Sequence, residues 1–79
     1  MKTIPYNGRR NISGARIREA RLQKRVSQME LAAMLQTEGI IIEQDVISKI
    51  EHETRLVQDF ELKAIAQHLK VSVDWLVGE

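Results

Sequence analysis

The chain has 79 residues and a formal net charge of +1, with 43% hydrophobic residues, 4% aromatic residues and no cysteine. This length allows one small domain, and the lack of cysteine excludes disulfides and removes the strongest metal ligands. No apolar run is long enough to span a membrane, and the N-terminus lacks a signal-peptide core, so we expect a soluble cytoplasmic protein. Aliphatic residues recur at helical spacing, which predicts an all-α fold.

Charge is divided unevenly along the chain. Residues 1–25 contain eight basic residues and one acidic residue, whereas residues 26–79 contain four basic and ten acidic residues. The asymmetry indicates an anionic partner for the first segment, although the two parts could instead neutralise each other in the fold.

Residues 1–11 are predicted to form a basic N-terminal arm, because Pro5, Asn7 and Gly8 fall in a stretch without periodicity. The pair Arg9 and Arg10 would contact phosphates or enter a minor groove, as basic arms of some DNA-binding proteins do. The alternative is a disordered tail that only adds solubility. Residues 12–79 then form the single predicted domain.

The first helix is predicted to begin near Asn11 or Ser13, both good N-cap residues, and to end at about Lys24. The second helix is predicted from Gln28 to about Glu38. Its start carries a capping box of Ser27 and Glu30, and an apolar stripe follows at i, i+3 and i+4. The stripe consists of Leu31, Met34 and Leu35.

Gly39 provides a backbone at which the second helix can end, and three isoleucines follow it directly. Ile40, Ile41 and Ile42 cannot all be buried on one helical face, so at least one is expected in the core. Their extended backbone preference favours a strand-like segment, and an exposed isoleucine would suit a dimer contact.

The third helix is predicted from about Gln44 to His52. Its inner side is aliphatic and consists of Val46, Ile47 and Ile50. Its outer side carries four polar residues, Gln44, Asp45, Ser48 and Lys49. An edge of short polar groups with one lysine suits entry into the major groove of DNA.

A fourth helix is predicted after an Asp59 cap, with an amphipathic repeat of Leu62, Ile65, Ala66 and Leu69. Ser72 is predicted to cap a short fifth helix, residues 73–77. Within it, Trp75 and Leu76 are expected to close the core.

Four segments in this order resemble the helix-turn-helix family of phage repressors, Cro proteins and XRE-type bacterial regulators. They are SGARIREARLQK, SQMELA, ISKIE and LKAIAQHLKVSVDWLVG. The resemblance covers residues 12–78 and implies a lambda-repressor-like bundle of about five short helices. Such a domain binds operator DNA as a two-fold homodimer, with helix three in the major groove and helix two across the backbone.

The resemblance also assigns roles to individual residues. Gln28 matches a phosphate or base-edge contact, and Arg55 matches a basic position that often holds phosphate. The groove-facing positions of helix three match Gln44, Asp45, Ser48 and Lys49. Arg21 and Glu51 match an ion pair that ties helix one to helix three, where a guanidinium can meet a carboxylate bidentately.

Two features depart from the usual family pattern. Ala32 and Ile47 are fifteen residues apart, five more than in the usual motif, which predicts a longer helix two and a longer connection. Glu43 and Asp45 place negative charge in the first turn of helix three, where it suits the helix dipole but repels phosphate. Asp45 either accepts a hydrogen bond from a cytosine amino group or faces water. Affinity for DNA must then come from the N-terminal segment, Lys49 and Arg55.

The resemblance implies a sequence-specific, double-stranded DNA-binding regulator of transcription, with repression as the default mode. An antitoxin-like or protein-interaction module on the same fold is the alternative, favoured by the acidic later part of the chain and the isoleucine run. An enzyme is not expected, because His52 and His68 lie on different helices without cysteines or paired carboxylates at a ligand spacing. No catalytic site, metal, cofactor, small-molecule substrate or membrane is therefore predicted.

Overall fold

Five helices in the predicted order make up the part of the domain that the structure describes. The computed structural model describes residues 6–78, with α1 (Gly14–Gln23), α2 (Gln28–Gln36), α3 (Gln44–Glu51), α4 (Asp59–Leu69) and α5 (Val73–Val77). This confirms the all-α fold class, and the first three helices end one or two residues earlier than predicted. Among the described residues, no helix is long and apolar enough to cross a membrane.

The core lies where the inner faces of the helices meet. Buried hydrophobic residues from every helix and from the α2–α3 connection form it: Ile17, Ala20, Leu31, Leu35, Ile42, Ile47, Ile50, Ala64, Ile65, Ala66, Leu69 and Leu76. The third helix packs against α1 and α2, while α4 packs against α1, α2 and α5. Helix α3 is therefore supported from behind by α1 and α2.

The start of α2 is the one that the sequence predicts. The Ser27 hydroxyl accepts a hydrogen bond from the Glu30 N–H at 3.0 Å, and the Glu30 carboxylate accepts one from the Ser27 N–H at 2.8 Å. The backbone and side-chain hydrogen bonds with Ser27 lower the pKa of Glu30. The capping box is confirmed.

The predicted cap of α4 is wrong by one position. Asp59 is already the first helical residue, and Gln58 is the N-cap with an extended backbone. The Gln58 N–H donates to the carboxylate of Glu61, three residues later, at 2.9 Å. Glu61 thus satisfies one of the free backbone donors at this helix start. The predicted Ser72 cap of α5 is confirmed by a 3.0 Å hydrogen bond from the Trp75 N–H to its hydroxyl.

Four helices end in the same backbone geometry. In each, a residue with positive φ is followed by an N–H that donates to the carbonyl five positions earlier, as in a Schellman motif. The left-handed residues are Arg25 (φ 56°), Gly39 (φ 78°), Glu53 (φ 64°) and Lys70 (φ 58°). The corresponding donors are the backbone N–H groups of Val26, Ile40, Thr54 and Val71. Of these four positions, only the one after α2 is a glycine, the residue from which such a helix end can be predicted in a sequence.

The three isoleucines after Gly39 take different environments. Ile42 is 5% exposed and belongs to the core, Ile40 packs against the core from its edge, and Ile41 is 68% exposed. The expected strand-like segment is not found, because residues 40–43 pair with no strand among the described residues. The end of the connection is therefore anchored by one side chain, Ile42.

Candidate nucleic-acid interface

The outer edge of α3 is polar and open. Gln44, Asp45 and Lys49 are exposed and Ser48 is half-buried, whereas Ile47 and Ile50, on the opposite side of the helix, are each 1% exposed. This division follows from the helical period, because residues 44, 45, 48 and 49 fall on one half of the helix circumference. The structure thus brings the four predicted groove-facing residues to one exposed edge.

The ends of this edge carry opposite charge. Glu43, the N-cap residue of α3, and Asp45 in its first turn are exposed acids, and Lys49 lies in the last turn. Acids near the N-terminus and a base near the C-terminus both stabilise the helix dipole. Lys49 is consequently the only cationic side chain that α3 itself presents.

Behind the edge, Arg21 of α1 contacts Glu51 of α3. The Arg21 Nε donates to Oε2 of Glu51 at 2.6 Å, and Nη2 donates to Oε1 at 3.1 Å. Nη1 of Arg21 donates to the carbonyl of Val26 at 2.9 Å. The side chains of Arg21 and Glu51 are 8% and 1% exposed, so the pair is shielded from solvent. Each of the three guanidinium nitrogens donates a hydrogen bond.

Gln28, predicted as a phosphate or base-edge contact, lies beside this pair. Its Nε2 donates to Oε1 of Glu51 at 3.1 Å, and the residue is half-buried. One carboxylate therefore joins α1, α2 and α3. The resemblance to phage repressors predicted the contact of Glu51 with Arg21, but not its contact with Gln28.

Two of the predicted phosphate contacts are arginines with carboxylate partners inside the domain. Arg9 pairs with Glu53, at 2.8 Å from Nη2 to Oε2, and Arg55 pairs with Glu61, at 2.9 Å from Nη1 to Oε1. A phosphate contact by either arginine would have to form beside its ion pair or replace it. Arg10 and Lys49, in contrast, are exposed and form no ion pair with any residue in the range 6–78.

The Arg55 pair also governs the ionisation of Glu61. Burial by itself would raise the pKa of this carboxyl, but the hydrogen bonds and charge of Arg55 and the Gln58 N–H together outweigh it. The pKa of Glu61 is therefore lowered, and the ionised pair is favoured.

The predicted basic arm is a turn docked on the domain where the structure describes it. Residues 1–5 lie outside the described residues. Tyr6 and Arg9 exchange backbone hydrogen bonds of 2.7 and 2.9 Å around Asn7 and Gly8, whose φ angles are 52° and 78°. These angles fit a type I′ turn, for which Asn-Gly is the preferred pair. The sequence does not predict this turn, because only one residue on each side of Asn7 and Gly8 is paired.

A groove of about 320 Å³ runs beside the N-terminus of α3. It lies between the outer face of α2 and the connection that precedes α3, and it is lined by Met29, Ala32, Ala33, Gln36, Ile41, Ile42, Glu43 and Gln44. Met29 and Ile41 are 66% and 68% exposed.

Among residues 6–78, no group of three or more His, Cys, Asp or Glu residues is placed to hold a metal ion.

Comparison with known proteins agrees with this architecture. Residues 17–76 match the family described as Helix-turn-helix. The structure is similar to that of the P22 c2 repressor protein in complex with the synthetic operator 9T, with a TM-score of 0.72 and 25% sequence identity. The similarity covers 86% of this chain and 96% of the repressor chain. No curated protein sequence matches the chain.

Proposed function

Because the chain belongs to the helix-turn-helix family of Cro proteins and phage repressors, we propose that it is a sequence-specific regulator that reads double-stranded DNA with α3 in the major groove. The family match and the similar repressor structure support a DNA-binding regulator of transcription. One observation supports α3 as the helix that reads the DNA. The polar edge of α3 is exposed while its opposite side is anchored by Ile47, Ile50 and Glu51.

The side chains of that edge have complementary partners on base pairs. Gln44 can bind adenine bidentately, Lys49 can donate to the acceptors of guanine, and Asp45 can accept from the cytosine amino group. Ser48 can serve as donor or acceptor. These contacts would choose the site, whereas phosphate contacts would supply most of the affinity and set the register.

Exposed cations outside α3 are the source of phosphate affinity in this proposal. Arg10 leads into α1, and Lys24 and Arg25 lie in the connection before α2; all three are exposed. Arg9 and Arg55 contribute first to folding through Glu53 and Glu61, and their phosphate contacts are secondary. The acidic first turn of α3 makes this supply of cations necessary, since it repels phosphate.

We further propose that the protein acts in the cytoplasm as a homodimer on a two-fold symmetric operator. Half-sites of such dimers lie about one helical turn, ~34 Å, apart. Occupancy of the operator would repress transcription by excluding other proteins. Sedimentation of the free protein and of its DNA complex measures the stoichiometry, and a complex with one protein chain per operator would contradict the dimer.

Selection of duplexes from a random pool, followed by salt titration of the best binder, tests the DNA-reading function. We expect a consensus with two-fold symmetry and a log affinity that falls linearly with log salt. An enriched pool without any consensus would show that the protein binds DNA without reading it.

A protein-interaction module on the same fold is the second candidate. It is favoured by the exposed apolar side chains of Met29 and Ile41, which lie next to the acidic Glu43 and line the same groove. Absent DNA binding, or binding that does not change with salt, would support it against the first proposal.

A further inference from the structure

The side chain of Asn11 joins the start of α1 to the end of α3. Its Oδ1 accepts the backbone N–H groups of Ser13 at 3.1 Å and Gly14 at 2.8 Å. Its Nδ2 donates to the carbonyls of Ile50 at 3.0 Å and Arg55 at 2.8 Å. One carboxamide thus satisfies two free donors at a helix start and two carbonyls at and beyond a helix end.

At this junction the backbones of α1 and α3 are in contact. A Cβ atom on Gly14 would lie 2.2 Å from the carbonyl oxygen of Ile50 and 3.0 Å from that of Glu51. No side chain fits between them, so glycine is required by the close approach. The Asn11 hydrogen bonds therefore form where the backbones of α1 and α3 are in direct contact.

A second set of contacts holds the residue that ends α3. Glu53, in the left-handed conformation, accepts the Arg10 N–H on its carbonyl at 2.9 Å and pairs with Arg9 through its carboxylate. The segment of residues 9–14 thereby contacts the C-terminal end of α3 on both sides of Glu51, the partner of Arg21. None of these contacts uses a side chain of the polar edge.

We infer that Asn11 is a positioning residue for DNA reading: it sets where α3 lies relative to α1 and so determines how well the polar edge discriminates between base pairs. The inference rests on the proposed function. Bidentate base contacts require side chains held within about 0.5 Å of their productive position. Phosphate contacts by long, flexible cations have no such requirement. Releasing the end of α3 therefore weakens discrimination more than it weakens general affinity for DNA.

Replacement of Asn11 by aspartate tests the role of the donor, Nδ2, separately from that of the acceptor, Oδ1. Asn11→Asp keeps an oxygen that accepts the Ser13 and Gly14 N–H groups, and aspartate is a good helix cap. It replaces the donor with an oxygen that faces the carbonyls of Ile50 and Arg55. Asn11→Ser also keeps an acceptor near the α1 start and removes the donor without adding charge, so it serves if the aspartate variant does not fold.

The measurement is the ratio of affinities for the selected duplex and for a scrambled duplex of equal length, at one salt concentration. We expect Asn11→Asp to lower this ratio about tenfold, comparable to the effect of one mismatched base pair. In the uncharged Asn11→Ser variant, affinity for the scrambled duplex and the salt slope should remain those of the wild-type protein. The carboxylate of Asn11→Asp lies next to Arg10 and lowers affinity for both duplexes by a similar factor, which leaves the ratio as the readout. All proteins are compared at a temperature at which circular dichroism shows them fully folded.

Ser72→Ala is the matched control, because it removes the side-chain cap of α5 and lowers stability without touching α3. We expect it to keep the wild-type ratio. An unchanged ratio in folded Asn11→Asp or Asn11→Ser, or equal losses on both duplexes, would overturn the positioning role. A wild-type protein that does not distinguish the two duplexes would instead overturn the proposed function on which the inference depends.

Discussion

Arg21 of α1 and Glu51 of α3 form a bidentate ion pair in the interior of the domain, with 2.6 Å between Nε and Oε2 and 3.1 Å between Nη2 and Oε1. The Glu51 side chain is 1% exposed, and Gln28 of α2 donates to the same carboxylate. The remaining guanidinium nitrogen, Nη1, donates to the Val26 carbonyl. The pair therefore fixes three helices relative to one another while its charges remain compensated and hydrogen-bonded.

Arg21→Ala is expected to lower the free energy of unfolding by about 3–5 kcal/mol, because it leaves the buried Glu51 carboxylate without its partner. Urea unfolding measures the loss. Arg18→Ala is the matched control on the exposed side of the same helix, where we expect a change within about 0.5 kcal/mol. Equal losses for the two variants would show that the pair has no special role in stability.

Lys49→Ala is expected to weaken binding to the selected duplex by about 1–3 kcal/mol and to relax selectivity at one base position. The reason is that Lys49 is exposed on the polar edge of α3 and has no carboxylate partner within residues 6–78. Competition with duplexes that vary one base pair at a time locates the position. Uniform losses on all duplexes would identify Lys49 as a phosphate contact.

Arg10→Ala is expected to lower affinity for all duplexes by a similar factor and to reduce the salt slope by about 0.9, the value for one phosphate contact. Its folding stability should stay close to that of the wild-type protein, since the side chain is exposed. Arg9→Ala is the informative comparison, because it removes the ion pair with Glu53 and should lower stability. A salt slope that Arg10→Ala leaves unchanged would assign this side chain to solvent.

The pKa of Glu61 is lowered in the folded protein, so its ionised form stabilises the fold. This contribution is complete above the ordinary glutamate pKa of about 4.3 and is lost as the pH falls through the lower, folded value. Glu61→Gln should therefore be less stable than wild type at pH 7, with a gap that narrows on acidification. Urea unfolding at pH 7 and below pH 4 measures it; a constant gap would contradict the ionised Arg55–Glu61 pair.

Ile42→Ala is expected to lower stability by about 2–5 kcal/mol, because its side chain is 5% exposed and lies in the core. Ile41→Ala, one residue earlier and 68% exposed, should change stability by no more than about 0.5 kcal/mol. Thermal melting of the two variants side by side provides the comparison. A larger loss of stability in Ile41→Ala than in Ile42→Ala would show that Ile41 anchors the connection before α3.

Local chemistry determined the helices, and so these could be predicted from the sequence. The capping boxes and caps join residues three apart, such as Ser27 with Glu30 and Ser72 with Trp75, and the apolar stripes repeat at the helical period. The polar edge of α3 follows from the same period. Such patterns are visible in a sequence because all their parts lie within one or two turns of the chain.

Tertiary packing decided the contacts that hold α3. Asn11 and Arg9 meet partners 39 and 44 positions away, and no short spacing indicates such pairs. The ends of α1, α3 and α4 use left-handed Arg25, Glu53 and Lys70, which local preference disfavours. The same holds for the burial of Ile42 rather than Ile41 and for the ion pairs of the arginines. Both depend on which side chains lie opposite. Those neighbours exist only after the helices have packed. The sequence by itself could therefore predict the polar edge of α3 and the Arg21–Glu51 pair behind it, but not the contacts that Asn11 and Arg9 make with the end of α3.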